Sequence, residues 1–357
     1  MLKRAIDSYH HLKLDDTPEL LNLAWTQDER NFITPSLNEL ITCSLQEEIN
    51  GQLPATWHYA VDDPWGEQRL TPAVAHYFGV QEKAFSLACG AGVIQLLSIL
   101  PALSARRHVA VDGEVYPDFP WWLKHSGRRA ERIASEPLAE RIKQVISLES
   151  DLYFIERPAL QSGSVMSLDS VYELGVAMAR VGIRLLIDES NANYLPPSCS
   201  AVHLLACLPN IIVLRGMSKA WGLGGLRMGF CLSSPALKNM LREHIPPLLN
   251  PSLTLRIAHN LLMAGDSTAS LRARIQQQKQ AALGLFTGWP VISSSEAMPY
   301  IFLPSDKESA LQKRGVVGKQ HHFWQETNAS ATLLRLSVPL ETSRMQRLEQ
   351  ALKVETP

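Results

Sequence analysis

The sequence predicts an α/β fold built on a mostly parallel sheet, and three observations carry that prediction. Between residues 84 and 230, short apolar runs alternate with stretches of helical spacing, the pattern that a parallel sheet with crossover helices requires. The chemistry-bearing residues fall at the C-terminal ends of those runs, where open α/β sheets carry their sites. A chain of 357 residues with 46% apolar composition is also ample for a large core and for two domains.

The elements follow in order. Leu37 to Ile49 has helical spacing, with Leu37, Leu40, Ile41, Leu45 and Ile49 on one side. Gly51 to Trp65 is rich in Pro, Trp, Tyr and Asp and reads as an irregular loop. Leu70 to Phe78 reads as a helix started near Thr71-Pro72, since proline suits a first turn. Ala84 to Ala88 reads as a short strand, and Gly90-Ala91-Gly92 then opens a helix at Val93. A small-residue turn at a helix N-terminus offers N–H groups and the positive end of the dipole, which suits phosphate. His108 to Asp112 and Leu152 to Ile155 are strand-like, and Trp121 and Trp122 read as core or entrance residues. Ser170 to Val181 is an amphipathic helix, and Ile183 to Ile187 is a buried strand ending in Asp188-Glu189. After the β-type run Ile211 to Leu214, the proline-rich segment His244 to Pro251 marks a domain junction. Ser252 to Leu285 is strongly helical, with Gln276 to Gln280 as a solvated face. Tyr300 to Leu303 and Leu333 to Val338 read as strands of a small C-terminal domain. The adjacent His321-His322 project differently and have no carboxylate at metal-binding spacing, so they are expected in a loop near the entrance.

Bulk numbers narrow the function. A net charge of −1 and a pI near 6.8 point to neither nucleic acid nor a membrane surface. The five cysteines are scattered without a Cys-x-x-Cys pair, so reduced thiols in a cytoplasm are expected rather than zinc or disulfides. The N-terminus has no apolar core of a signal peptide, and the longest mostly apolar stretch, Val93 to Leu103, is too short to span a bilayer.

The organising stretch is Ser218-Lys219-Ala220-Trp221-Gly222-Leu223-Gly224-Gly225-Leu226-Arg227-Met228-Gly229-Phe230. A strand delivers Ser218 and Lys219 into a glycine-rich turn, and Arg227 follows eight residues after the lysine. Ser218 can donate its hydroxyl to an anion, the glycines let backbone come close, and Arg227 can fork two donors onto a phosphate. Lys219 beside a bound anion suggests Schiff-base chemistry. A nucleotide P-loop would need glycines before the lysine and a Ser or Thr after it, the reverse of the order here. A glycine-rich loop with a surface lysine is the remaining alternative.

This stretch resembles the pyridoxal-phosphate lysine motif of the class I/II aminotransferases, in the branch typified by histidinol-phosphate aminotransferase. The resemblance covers about residues 55 to 340 and implies a fold-type I enzyme with a seven-stranded-type sheet. It implies an N-terminal arm with part of the small domain over residues 1–50, a large cofactor domain over 51–245 and a small α+β C-terminal domain over 246–357. It assigns Gly90, Ala91 and Gly92 to the phosphate turn, Tyr116 to stacking on the pyridine ring, and Asp188 to its nitrogen. A carboxylate there keeps the ring protonated and an electron sink. Leu334-Arg335-Leu336-Ser337 resembles the family's last strand, which makes Arg335 the clamp for the substrate carboxylate. A homodimer with shared sites is implied, with Tyr59 as the residue that reaches the neighbour's phosphate.

Two positions depart from the pattern. Glu156 to Gly163 stands where the family has Asn-Pro-Asn-Asn-Pro-Thr-Gly, and the last Asn, which bonds the cofactor's phenolic oxygen, is Leu160. The family's Tyr, three residues after the Asp, is Asn191, which as a cofactor-binding residue can still donate to the phenolic oxygen with a different geometry and acidity. The implied activity is formation of an external aldimine with an α-amino acid and abstraction of its Cα proton by Lys219. Transamination and a divergent elimination or cyclisation both follow from that step. The latter is similar to the arginine cyclases that make capreomycidine or enduracididine from hydroxyarginine. A regulator with a fused DNA-binding domain would need an N-terminal extension that this chain lacks, and the Lys219, Asp188, Arg227 and Arg335 set argues against a scaffold without turnover.

Overall fold

Strand alternation divides the core of this protein in two. In the run Ile211 to Leu214, Ile211 and Val213 pack into one apolar cluster while Ile212 and Leu214 pack into another. The same split recurs for Leu185 and Ile187 against Leu186, and for Tyr153 and Ile155 against Leu152 and Phe154. Successive side chains leave a strand on opposite faces, so runs that are apolar at every position must be covered on both sides.

The computed structural model describes residues 2–8, 15–51, 55–57, 59–133, 137–292, 295–326 and 329–353. The chain begins with β1 (Leu21–Asn22), α1 (Leu37–Asn50) and α2 (Glu67–Phe78). The central part alternates: β2 (Ser86–Ala91), α3 (Val93–Ile99), β3 (His108–Asp112), α4 (Asp118–His125), β4 (Arg129–Ile133), α5 (Leu138–Ser147), β5 (Leu152–Glu156), α6 (Leu168–Arg180), β6 (Arg184–Asp188), β7 (Ile211–Gly216) and β8 (Met228–Ser233). Then come α7 (Lys238–His244), α8 (Ser252–Met263), α9 (Ala269–Leu285), β9 (Tyr300–Pro304), α10 (Glu308–Gln312), β10 (Val316–Val317), β11 (Lys319–Glu326), β12 (Ala329–Ser337) and α11 (Thr342–Lys353).

The large sheet has seven strands in the order β2-β8-β7-β6-β5-β3-β4. From β7 to β4 all neighbours are parallel, while β8 runs antiparallel between β7 and β2. A second sheet, β11-β12-β9, is antiparallel. The small pair β1 and β10 ties the N-terminal segment to the C-terminal part of the chain. Ser36 starts α1 with a capping box, its hydroxyl accepting from Glu39 N and the Glu39 carboxylate from Ser36 N.

Several expectations need correction. Helix α2 starts at Glu67, five residues before Pro72, because the Asp63 carboxylate accepts from Gln68 N and Arg69 N, both at 3.0 Å, and caps the turn after left-handed Gly66. The helical stretch from Ser252 breaks into α8 and α9 at Gly265, whose φ of 72° ends the first helix. The glutamine run is not a solvated face throughout, since Gln278 and Lys279 are buried and Lys279 Nζ donates to Met298 O at 2.6 Å. Burial pulls that amine down to about 7. His321 and His322 lie within β11, 6% and 7% exposed, and not in a loop. The run Lys-Gln-His-His carries no apolar alternation, and packing alone buries it. Of the expected loop from Gly51 to Trp65, residues 52–54 and 58 lie outside the described residues.

Candidate active site

Parallel strands end together, and here their C-terminal ends form the floor of a cavity of about 390 Å³. Glu156 ends β5, Asp188 ends β6, and Gly216 ends β7. Arg227 precedes β8, whose antiparallel direction pairs Gly229 with Gly216 and so brings the arginine to the same edge. Tyr116, Asp188, Asn191, Ser218, Lys219, Arg227 and Arg335 all line this one cavity. Gly90, Ala91 and Gly92 stand just behind it, joined by an Arg227 Nη2 bond to Ala91 O of 2.8 Å. Tyr59 does not line the cavity and is 83% exposed.

Backbone constraints hold the lysine loop. Asn193 Nδ2 donates to Gly216 O at 2.6 Å and to Lys219 O at 3.2 Å, and Arg215 fixes that amide through a 2.6 Å bond to Asn193 Oδ1. Arg215 also pairs with Glu189 at 3.2 Å, as does Arg157 at 2.9 Å. Glu189 is thus spent on two arginines and does not face the cavity. A side chain at Gly229 would put its Cβ 2.6 Å from Gly92 C, so only glycine lets β8 lie against the turn before α3.

The floor holds two carboxylates on adjacent strands, since Glu156 and Asp188 are register partners. Asp188 is 1% exposed, and its Oδ1 accepts from Ser190 N at 2.8 Å. Burial raises it to about 6 against the help of Ser190 and Arg215. Glu156 accepts from Tyr116 N at 2.7 Å and from Asn191 Nδ2 at 3.0 Å. Burial, followed by the neighbouring Asp188, raises its carboxyl well above the usual range. The amide of Asn191 is thereby engaged with Glu156.

The opposite wall comes from the small sheet and the N-terminal segment. Arg335 pairs in register with Lys319 on one side and Phe302 on the other. His321 lies two residues beyond Lys319 on the same face. Two cations directly opposite one another on neighbouring strands repel, and both are buried, 2% and 6% exposed. Burial, then Arg335 and Lys219, pull Lys319 down to about 6. His321 is held neutral by burial and by the same cations, and neither ring nitrogen has a hydrogen-bond partner among the described residues. Arg335 Nη2 donates to Ala24 O at 2.8 Å, and its guanidinium lies 4.5 Å from the Tyr300 ring centre. Behind Tyr300, Tyr194 donates to Glu29 Oε1 at 2.6 Å and stands 3.4 Å from the Tyr300 hydroxyl. Burial pushes the Glu29 carboxyl up to about 7.

Sequence reasoning missed Glu156, Lys319, Tyr300 and Glu29, and placed His321 near the entrance but in a loop. A charged residue closing the apolar run Leu152 to Ile155 was the available signal for Glu156. The others are brought in by tertiary pairing alone. The donor set suits a flat anionic cofactor: a hydroxyl and a guanidinium for phosphate, a carboxylate for a ring nitrogen, an aromatic ring and an amine. Among the described residues no group of three His, Cys, Asp or Glu side chains is arranged for a metal ion, and no helix is long and apolar enough to cross a membrane.

A family model described as aminotransferase class I and II matches residues 61–352. An aromatic amino acid aminotransferase of Cutibacterium acnes is 24% identical over 328 residues, spanning 87% of this chain and 89% of that one. A threonine-phosphate decarboxylase of Pseudomonas aeruginosa is 26% identical over 295 residues, spanning 81% and 83%. The fold is similar to the crystal structure of histidinol-phosphate aminotransferase from Sinorhizobium meliloti in complex with pyridoxal-5'-phosphate. There the TM-score is 0.67 at 22% identity, over 90% of this chain and 87% of the other.

Proposed function

The chain belongs to the aminotransferase class I and II family and is a pyridoxal-phosphate-dependent enzyme of the aminotransferase fold; we propose that it transfers the amino group of an α-amino acid whose side chain carries a second anionic group. The observation that carries this reading is the buried Lys319–Arg335 pair across β11 and β12. Burial and the Arg335 guanidinium pull Lys319 down to about 6, so its amine gives up its proton in the free wall, and an anion beside the pair would let it take the proton back. Arg335 takes the α-carboxylate in this reading and Lys319, with His321, the second anion. The name of one similar protein, threonine-phosphate decarboxylase, points to a substrate with an α-carboxylate and a second anion, which agrees with an anionic far end.

In this reading residues 51–245 hold the cofactor, and 246–357 with the N-terminal arm supply the substrate wall. Ser218, Arg227 and the Gly90-Ala91-Gly92 turn hold the phosphate, Tyr116 covers the ring, and Asp188 keeps the proton on the ring nitrogen. When bound, pyridoxal phosphate supplies an electron sink for the charge left at Cα. Lys219 Nζ takes the Cα proton and is the group placed to return it. Arg335, steadied by Ala24 O and the Tyr300 ring, fixes the carboxylate so that the Cα–H bond points at the lysine. Trp25, Thr26 and Phe302 close the wall and keep water from that proton. A homodimer with Tyr59 serving the neighbouring site belongs to the same proposal. Ile49, Trp57, Tyr59 and Val61, 75%, 72%, 83% and 73% exposed, supply the apolar surface that supports it.

Elimination or cyclisation of a hydroxyarginine is supported by Leu160 and Asn191 alone. A guanidinium side chain would meet Arg335 and Lys319 at the far wall. The deciding experiment offers the protein pyridoxal phosphate, a 2-oxo acid acceptor, and amino donors with phosphate, carboxylate, aromatic or guanidinium ends. Transfer with kcat/KM at least tenfold higher for the anionic donors is expected. Preferential turnover of hydroxyarginine without an acceptor would overturn the reading in favour of cyclisation.

A further inference from the structure

We infer that Glu156 is a proton-bearing acid of the pocket and donates a hydrogen bond to the cofactor's phenolic oxygen, the contact for which Leu160 has no donor. The inference rests on the pyridoxal-phosphate reading of the site. Glu156 lies at the pocket floor, 5% exposed, on the strand next to Asp188. Its carboxyl is clamped from both flanks, by Tyr116 N after β3 and by Asn191 Nδ2 after β6. A side chain held by the ends of two neighbouring strands has one orientation, and that orientation faces the cavity.

The charge balance of the floor assigns the proton. Asp188 has the Ser190 backbone N–H at 2.8 Å and feels Arg215, both of which favour its charged form. The Tyr116 N–H, Asn191 and Lys219 favour the charged form of Glu156 too, but burial and the neighbouring Asp188 outweigh them and hold its carboxyl well above the usual range. Two buried carboxylates side by side do not both ionise. An ionised Glu156 would also repel the phenolic oxygen, since Leu160 brings no donor to that edge and the Asn191 amide is turned onto Glu156. A protonated Glu156 removes both conflicts, because its O–H is a donor at the edge where Leu160 brings none and one Asn191 N–H is already given to Glu156. A buried carboxylic acid kept neutral so that it can donate is an established catalytic device. The three residues Glu156, Leu160 and Asn191 are then one coordinated change, with the acid in place of an amide and a phenol.

The test uses the full chain loaded with pyridoxal phosphate. The visible absorbance of the bound cofactor is titrated against pH for the parent, Glu156→Gln and Glu156→Ala. A donor stabilises the deprotonated, anionic form of the chromophore, so losing it moves the transition to higher pH. Glu156→Ala is expected to raise the midpoint by roughly one pH unit, and Glu156→Gln, a neutral donor of the same shape, by much less. An unchanged midpoint in Glu156→Ala, or a shift in Glu156→Gln as large as in Glu156→Ala, would overturn the inference. Infrared difference spectra of the parent against Glu156→Gln at pH 7 give a second readout that needs no cofactor and no alanine variant. A protonated-carboxyl stretch present only in the parent is expected, and a carboxylate stretch in its place refutes the assignment. If the parent takes up no cofactor, the cofactor reading fails by itself while the infrared result still decides the state of Glu156.

Discussion

Replacing Lys319 by methionine should make the protein more stable and a worse enzyme, and the two effects have separate sources. In the free protein, burial, Arg335 and Lys219 pull Lys319 from an ordinary 10.5 down to about 6. A base whose folded value lies below its unfolded one costs stability as pH falls from 10.5 towards 6, because the unfolded chain takes up the proton first. At pH 7 the fold therefore carries a neutral buried lysine at a penalty that methionine, of similar length, does not incur. Exchanging a buried charge-bearing group for a packed apolar one gives about 1–4 kcal/mol, visible as a Tm higher by several degrees. The loss in function comes from the second anion. A charge-assisted contact is worth about 1.5–3 kcal/mol, so kcat/KM for a phosphate- or carboxylate-ended donor should fall roughly 10- to 150-fold. A donor without that group should change by less than about threefold. Calorimetry in buffers of different ionisation enthalpy gives an independent reading. Binding of the anionic donor at pH 7.5 should take up a proton in the parent and none in Lys319→Met. Equal losses for both kinds of donor, or a lowered Tm, would refute the assignment of Lys319 to the substrate's far end.

Three further outcomes are expected. Lys219→Ala should abolish transfer, by at least about 10⁴-fold as for removal of a group acting covalently and as base, and should lose the visible cofactor band while retaining the fold by circular dichroism. Glu29 is raised from 4.5 to about 7, so its contribution to stability is full below pH 4.5 and is lost as pH rises through 7. Urea unfolding of Glu29→Gln should accordingly show a flatter pH dependence between 5 and 8 than the parent, and parallel curves would contradict the burial argument. Light scattering should give twice the 39.7 kDa chain mass, with Tyr59→Ala weakening cofactor retention rather than assembly; a monomer that binds cofactor fully would remove Tyr59 from the site.

What could be read from the sequence follows physical lines. Strands β5, β6 and β7 are apolar at successive positions because helices cover both faces, and that signal survives without any knowledge of partners. The spacing from Asp188 through Lys219 to Arg227 and the distant Arg335 is a linear pattern, and the structure gathers these residues around one cavity. Strand β11 was invisible because its first four residues are Lys, Gln, His and His, and their burial comes from β12 and the N-terminal segment. The start of α2 turned on a cap from Asp63, three residues upstream of Gly66, and the break at Gly265 on one left-handed residue inside an otherwise helical pattern. Glu156 was passed over because it reads as the end of a strand. Only its register with Asp188 gives it a chemical meaning.

The division of labour between the two sheets bears on how such an enzyme diverges. The lysine, the two carboxylates, Arg227 and the Gly90-Ala91-Gly92 turn belong to the seven-stranded sheet and its loops, whereas Arg335, Lys319, His321 and Tyr300 belong to the three-stranded one. Ala24, Trp25 and Thr26 lean on that second sheet, and Asp28 anchors the segment through Leu340 N at 2.7 Å and Arg344 at 3.2 Å. Replacements in these few strand-face and arm positions leave every residue of the chemical floor in place. In the proposed reading, amino donors are exchanged by editing a wall of about half a dozen side chains, with the residues that react left untouched.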